Sequence, residues 1–326
     1  MNIRITSPKG AFDVTELVPS VKWSGDYQQA ARSLEFSLVA STTDRDIPAV
    51  ACPLGASVQF REGGKLLFDG FILARKKSTG ASQITLSCYD RGFYLKQNKA
   101  SYKFQDQPPE AIAARVAGDF GITAGELAAT GVPVSRIFLG ASLYDILSTA
   151  YTLASRVTGE KYHIGFEGDK LCVRVRKPDT RTLVVQGGSN LIEAATTESV
   201  ERMVNAVAIY DQTGNLVSRL EDAETIALYG QMQEVVKQTA KDDKAAAAQK
   251  LLDDGGARQQ ITLDCLGDVR NVTGGCVIVR ESFTGLNGLF YIDSDIHEWK
   301  RGQYYNKLVL NFENIMNEKE AGSQPG

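Results

Sequence analysis

The chain has 326 residues, 43% hydrophobic and 23% charged, with 36 basic against 39 acidic side chains and a net charge of −3. This is the composition of an ordinary globular chain, long enough for about two domains with real cores. It lacks the basic excess or stripe with which a duplex-DNA binder neutralises phosphates.

The first hundred residues read as β. Leu34-Glu35-Phe36-Ser37-Leu38-Val39 forms one strand, and Val58-Gln59-Phe60-Arg61-Glu62 begins the clearest stretch. Gly63-Gly64 then separates it from Lys65-Leu66-Leu67-Phe68-Asp69-Gly70, a hairpin signal because primed turns need positive φ. Phe71-Ile72-Leu73-Ala74 is expected as a further strand. In the next one Ile84, Leu86 and Cys88 share one face and Thr85, Ser87 and Tyr89 the other, the pattern of a sheet with one covered side. Five or more short strands predict a barrel or sandwich.

Asp106-Gln107-Pro108-Pro109-Glu110 marks a helix start, with Ile112, Val116 and Phe120 as its apolar stripe and Gly121 as its end. Ser142-Leu143-Tyr144-Asp145 has the spacing of a capping box. Ile146, Leu147, Ala150, Leu153 and Ala154 form the stripe that follows, and Gly159 stops it. Tyr162, Ile164 and Phe166 alternate, Gly168-Asp169 turns, and Leu171, Val173 and Val175 return as a hairpin.

From Thr182 strands are predicted near 183–186, 203–210, 216–220, 232–238, 260–266, 276–279, 289–299 and 307–312. A short helix runs from Asp222 to Gly230. A second runs over about 240–254, with Thr239-Ala240-Lys241-Asp242 as its cap, an alanine-rich face and Gly255-Gly256 at its end. The fold class is therefore α+β and β-rich: two β-barrel-like domains at 1–105 and 182–312, an α+β insert at 106–181, and an extra helix in the second barrel. Residues 313–326 lose periodicity and are expected to fray as a flexible tail.

Chemistry-bearing patterns are sparse. Met1-Asn2-Ile3-Arg4-Ile5-Thr6 lacks the apolar run of a secretory signal, and no run approaches the ~18–20 residues of a membrane span. Cys52, Cys88, Cys172, Cys265 and Cys276 form no C-x-x-C pair, so a reducing compartment is expected and zinc or redox chemistry is not. Asn271-Val272-Thr273 matches the glycosylation pattern by chance. No phosphate loop, nucleophile elbow or metalloprotease motif occurs, and the Gly pairs have turn or cap explanations. His163, one of two histidines, sits in a predicted strand as a structural or solvated residue. Asp69 and Asp90 follow strands and are read as satisfying turn amides.

The strand period places Asp293, Asp295 and His297 on one face, a set able to bind a divalent ion. Phe290, Ile292 and Ile296 occupy the other face, so the acids and His297 are expected to line the wet side without metal. No catalytic, cofactor-binding or metal residue is assigned, and no partner-binding residue is identified.

The runs Val58-Gln59-Phe60, Leu66-Leu67-Phe68-Asp69-Gly70-Phe71-Ile72 and Ile84-Thr85-Leu86-Ser87-Cys88-Tyr89-Asp90-Arg91-Gly92-Phe93-Tyr94-Leu95 resemble the central hub proteins of phage tail baseplates. That family includes late control D proteins, the hub half of type VI secretion spikes, and hubs of defective phages and phage-tail-like bacteriocins. Gly274-Gly275, the Gly288-Leu289-Phe290-Tyr291-Ile292 strand and Leu308, Leu310 and Phe312 resemble its second barrel. The resemblance implies a homotrimeric ring of two barrels per chain around a channel, adapting a sixfold tail tube to a threefold spike. It further implies tube, spike and baseplate partners, a virion tail location after assembly in the bacterial cytoplasm, and no enzymatic activity, cofactor, sequence-specific nucleic acid or membrane insertion. Two other readings stay open: a carbohydrate- or cell-wall-binding β protein, and a peptidoglycan hydrolase using Asp293 and Asp295.

Overall fold

The computed structural model describes residues 1–40, 50–78, 82–180, 182–237 and 244–325. Contacts divide the chain into two compact units, Met1–Ala194 with Thr262–Gly326, and Ala195–Ile261.

The first unit begins with β1 (Asn2–Ser7), β2 (Gly10–Asp13), β3 (Ser20–Asp26), β4 (Ser33–Val39), β5 (Ser57–Glu62), β6 (Lys65–Lys77) and β7 (Gln83–Asp90). Gly63 and Gly64 link β5 to β6 with φ of 53° and 80°, the pair of positive angles that a type I′ turn requires. The stretch read as two strands, 65–70 and 71–74, is the single strand β6, which stays paired with β7 across a bulge between Ile72 and Ala74. Leu86 and Cys88 on the predicted inner face are fully buried, packed with Ile3, Ile5, Phe36 and Phe60. Burying each large apolar side chain there stabilises the sheet by roughly 1.5–3 kcal/mol.

The chain continues through α1 (Gly92–Gln97), β8 (Lys99–Gln107), α2 (Pro109–Asp119), β9 (Thr123–Leu127), β10 (Val134–Ser142) and α3 (Leu143–Thr158). Ser142 caps α3: its Oγ accepts from Asp145 N at 3.0 Å and donates to Asp145 Oδ2 at 2.7 Å. Ile146, Leu147, Ala150 and Ala154 of the predicted stripe are fully buried, and the helix ends at Gly159 in the left-handed conformation. In α2, Ile112 and Val116 are buried, but Phe120 lies beyond the last helical residue and turns outward. The hairpin β11 (Tyr162–Glu167) and β12 (Lys170–Val175) packs Tyr162, Ile164, Leu171 and Val173 into the same core as these helices. Next are β13 (Leu183–Gln186) and β14 (Leu191–Ser199), the latter unmarked by any alternation in the sequence.

The second unit contains β15 (Ala206–Tyr210), β16 (Leu216–Glu221), α4 (Ala223–Tyr229), β17 (Gln233–Lys237) and α5 (Lys244–Asp253). Its sheet order is β16-β15-β17. Asp222 caps α4, accepting from Glu224 N and Thr225 N. Ala248 of α5 is fully buried against Val207 and Ile209, as the small-residue face of that helix predicts. The cap assigned to Thr239 through Asp242 lies outside the described residues.

After β18 (Arg258–Leu266), the first unit is completed by β19 (Cys276–Arg280), β20 (Asn287–Lys300) and β21 (Gln303–Asn311). Two β-barrel-like domains are expected from the sequence, and the sheets of the structure do not close into barrels. Among the described residues the early and late strands of the first unit form one open sheet in the order β21-β20-β3-β4-β7-β6-β5-β1-β2, with β19 on β20 and β13 on β19, while β10-β8 and β11-β12-β9 form two smaller sheets. The early and late strands merge because β20 pairs antiparallel with β3, Trp23 opposite His297 and Gly25 opposite Asp295. Alternation within a strand reports which face is buried and not which distant edge it meets. The β-rich α+β class stands without barrel closure.

The tail differs too. Met316 is buried, Ser323 exchanges two backbone bonds with Ile137, and Lys319 N and Ala321 N donate to hydroxyls of α3. Those bonds dock a segment that local periodicity alone assigned to solvent. Among the described residues no helix is long and apolar enough to cross a membrane.

Candidate functional site

β20 carries the cluster picked out in the sequence, but not on a wet face. Asp295 and His297 are fully buried, Asp293 is nearly so, and Ile296 is exposed. The reason is a bulge against β21 between Ile292 and Ser294. It adds a residue, so that Ile292 and Asp293 are both buried and the inward parity changes for the rest of the strand. Trp299 has the same parity as Asp295 and His297. Its apolar ring was the available sign that this half of β20 turns those positions inward.

Asp295 faces Arg32, from the loop before β4. Arg32 Nη1 donates to Asp295 Oδ1 at 2.9 Å, and Nη2 reaches Oδ2 in a second, shorter contact. Thr273 adds its backbone N at 2.7 Å and its hydroxyl at 2.6 Å, both to Oδ1. Burial alone would raise this carboxyl. The Arg32 charge and the hydrogen bonds from His297 and Arg32 override it and hold the acid well below the usual carboxylate range. Gly25 makes the approach possible, since a Cβ there would stand 2.3 Å from Arg32 Nη1.

The orientation of His297 follows from its neighbours. Asp268 N donates to Asn306 Oδ1 at 2.8 Å, which fixes that amide and aims Asn306 Nδ2 at His297 Nδ1, 2.9 Å away. Nδ1 therefore accepts, and the ring proton sits on Nε2, 3.0 Å from the Asn271 carbonyl and 3.2 Å from Asp295 Oδ2. Tyr304 OH lies 2.6 Å from Nδ1, the Trp23 ring lies 4.8 Å from the imidazole, and the Arg32 guanidinium lies over the Trp23 ring, 3.9 Å from its centroid. Asn271 and Thr273, which matched a glycosylation pattern, are buried members of this network.

Asp293 is taken by a different cation. Arg176, at the end of β12 and 1% exposed, donates from Nη2 to Asp293 Oδ1 at 2.9 Å and to the Ile292 carbonyl at 3.0 Å. Its Nη1 reaches the Ile315 carbonyl, and its own carbonyl accepts from Asn314 Nδ2 at 2.8 Å. Neither Arg32 nor Arg176 was marked by the sequence, because each partner lies more than a hundred residues away.

The other candidates are dispersed. Asp90 accepts from Arg32 N at 3.1 Å and Gly92 N at 2.9 Å, as a turn-stabilising acid does. Burial outweighs those bonds and pushes its carboxyl up to about 7. Asp69 lies within β6, not in a turn, and accepts from Gln59 Nε2 at 2.7 Å. His163 stands on β11 against Gly274, and burial, with Arg176 and Arg32 nearby, pushes its imidazole down to about 3. All five cysteines are free and buried, and burial pushes the Cys88 thiol up to about 12, far from a reactive thiolate. Among the described residues no three His, Cys, Asp or Glu side chains gather as a metal-binding group. With its oxygens saturated and no solvent access, Asp295 is arranged to hold strands together rather than to move protons.

The open sheet and its buried ion pairs define a β-rich α+β chain whose charged residues hold strands together. The chain belongs to the YQBQ-like family, whose profile matches residues 21–311. It is 26% identical over 310 residues to the phage-like element PBSX protein XkdQ of Bacillus subtilis, covering 92% of this chain and 94% of that one. Its fold is similar to the 43 kDa tail protein of prophage MuSo2 from Shewanella oneidensis, with a TM-score of 0.68 at 14% identity, covering 95% and 98% of the two chains. It is also similar to the E. coli c3393 protein, a type VI secretion component with structural similarity to the T4 bacteriophage tail proteins gp27 and gp5. There the TM-score is 0.52 at 11% identity, covering 95% of this chain and 76% of that one.

Proposed function

We propose that this chain is a baseplate hub and not an enzyme. Three copies close a ring in which residues 1–105 and 182–312 of each copy alternate as near-equivalent segments, with residues 106–181 inserted between them. The ring adapts a sixfold tail tube to a threefold spike around a hydrophilic channel, in a virion tail assembled in the bacterial cytoplasm.

The observation that carries this reading is the edge-to-edge pairing of β3 with β20. It sets an early and a late segment of one chain side by side, as the alternating segments of a ring must lie, and a heterologous contact of that kind between copies closes a cyclic assembly when its rotation fits. The likeness to a type VI component related to T4 tail proteins supports it. The engagement of Asp293 and Asp295 by Arg176 and Arg32 speaks for structure over carboxylate hydrolysis. Counting copies per tail end in assembled particles tests the proposal. Three copies are expected; one or six would overturn it.

A further inference from the structure

A small cavity lies where sequence-distant stretches of the first unit meet. Tyr27 follows β3, Tyr144 and Ser148 come from α3, His163 from β11, Arg176 from the end of β12 and Asn317 from the C-terminal stretch, and all of them line it. Its volume is about 10 Å³, the room that one water molecule needs and too little for a carboxylate or a phosphate.

One wall carries an unpaired donor. Arg176 is 1% exposed, and its Nη atoms are engaged by Asp293 and by the Ile292 and Ile315 carbonyls. Those bonds fix the guanidinium, so it cannot turn to seek another partner. Its Nε–H is buried and has no acceptor among the described residues. A donor taken out of water and left unpaired is costly, and a native fold normally answers it with a protein group or a bound water.

The other walls supply complementary groups. Tyr144 OH accepts from Asn317 Nδ2 at 3.0 Å and is also bonded to Ser148, whose hydroxyl can both donate and accept. The His163 ring is held neutral by burial and by the nearby Arg176 and Arg32, so one of its nitrogens is an acceptor. A donor, an acceptor and hydroxyls around a water-sized space are the partners a buried water requires. The Arg176 charge is already matched by Asp293, which leaves no net charge to attract an anion.

We propose that this cavity is a binding site for a single structural water, which accepts from Arg176 Nε and donates to His163 and to a wall hydroxyl. Such a water ties the β11–β12 hairpin and α3 to the stretch after β3 and to the C-terminal stretch. The proposal does not rest on the hub reading, because it concerns the isolated chain.

A high-resolution crystal structure of the full chain tests it. One ordered oxygen is expected about 2.7–3.2 Å from both Arg176 Nε and a His163 ring nitrogen. No density in the cavity, or a peak out of reach of Nε, would overturn the proposal. Crystals soaked in bromide distinguish a halide site, since an anomalous peak in the cavity would equally overturn it. In solution, water magnetic relaxation dispersion counts long-lived internal waters. Ser148→Val puts an apolar branch into the cavity and should lower that count by one with circular dichroism unchanged. An unchanged count in the folded variant would sink the assignment, and if the variant does not fold the crystallographic peak decides alone.

Discussion

Two buried carboxylates, Asp90 at the end of β7 and Asp295 in the middle of β20, are served by the same residue with opposite results. Asp90 receives only the backbone amide of Arg32 along with that of Gly92, and burial drives its carboxyl up to about 7. Asp295 receives the guanidinium of Arg32, and although burial works against it too, the acid is held far below its ordinary value. Two amide dipoles do not compensate for a desolvated charge at Asp90, whereas a bidentate cation does at Asp295.

The largest expected effect comes from removing that cation. Arg32→Met leaves the Asp295 carboxylate buried without a partner and should cost about 3–5 kcal/mol. The double change Arg32→Met with Asp295→Leu should recover most of the loss. Equal urea-melt stabilities of the single and double variants would break the comparison.

Gly25→Ala sharpens it, since the new Cβ falls 2.3 Å from Arg32 Nη1 and must displace the cation without deleting it. A loss of about 1–3 kcal/mol is expected. Gly64→Val, at φ of 80° in the β5–β6 turn, involves no charge and should lose about 1–3 kcal/mol through backbone strain alone. The two separate by linkage: only Gly25→Ala should change how stability responds to acid.

The Asp90 side of the comparison is read from pH. Its folded pKa lies above the unfolded one, so the native state binds the proton more tightly. The stability it adds is fully present below the ordinary carboxylate range and is lost as pH rises through about 7. His163 acts in the opposite sense, because a ring held neutral down to about 3 makes the native state lose stability as pH falls below about 6.5. In Asp90→Asn, the stability loss between pH 4 and 7 should disappear and the His163 loss on acidification should remain. An unchanged profile would show that Asp90 ionises freely. The smallest effect is expected from Lys161→Ala, which removes an exposed pair with Glu318. Melting curves at 0.1 and 1 M salt should scarcely separate it from the parent.

What the sequence revealed was what neighbours along the chain decide. The Gly63-Gly64 turn, the Ser142 cap and the helix start at Asp222 each depend on residues within a few positions, and their signals were readable. The β20 cluster was placed on the wrong face because one bulged residue, Asp293, reverses parity without altering composition. Arg32 lies 263 positions from Asp295, and no periodicity connects residues so far apart. The tail was misread for a related reason: its order comes from hydroxyls of α3 rather than from its own pattern.

The pairing of β3 with β20 also sets a timetable. With 263 residues between Arg32 and Asp295, a ribosome adding about 5–20 residues per second leaves β3 without this neighbour for roughly 15–50 s. For that interval a strand edge and the positive charge of Arg32 await partners still to be translated. Nascent chains arrested before residue 287 should accordingly be cut by protease near β3, and chains released after residue 311 should resist.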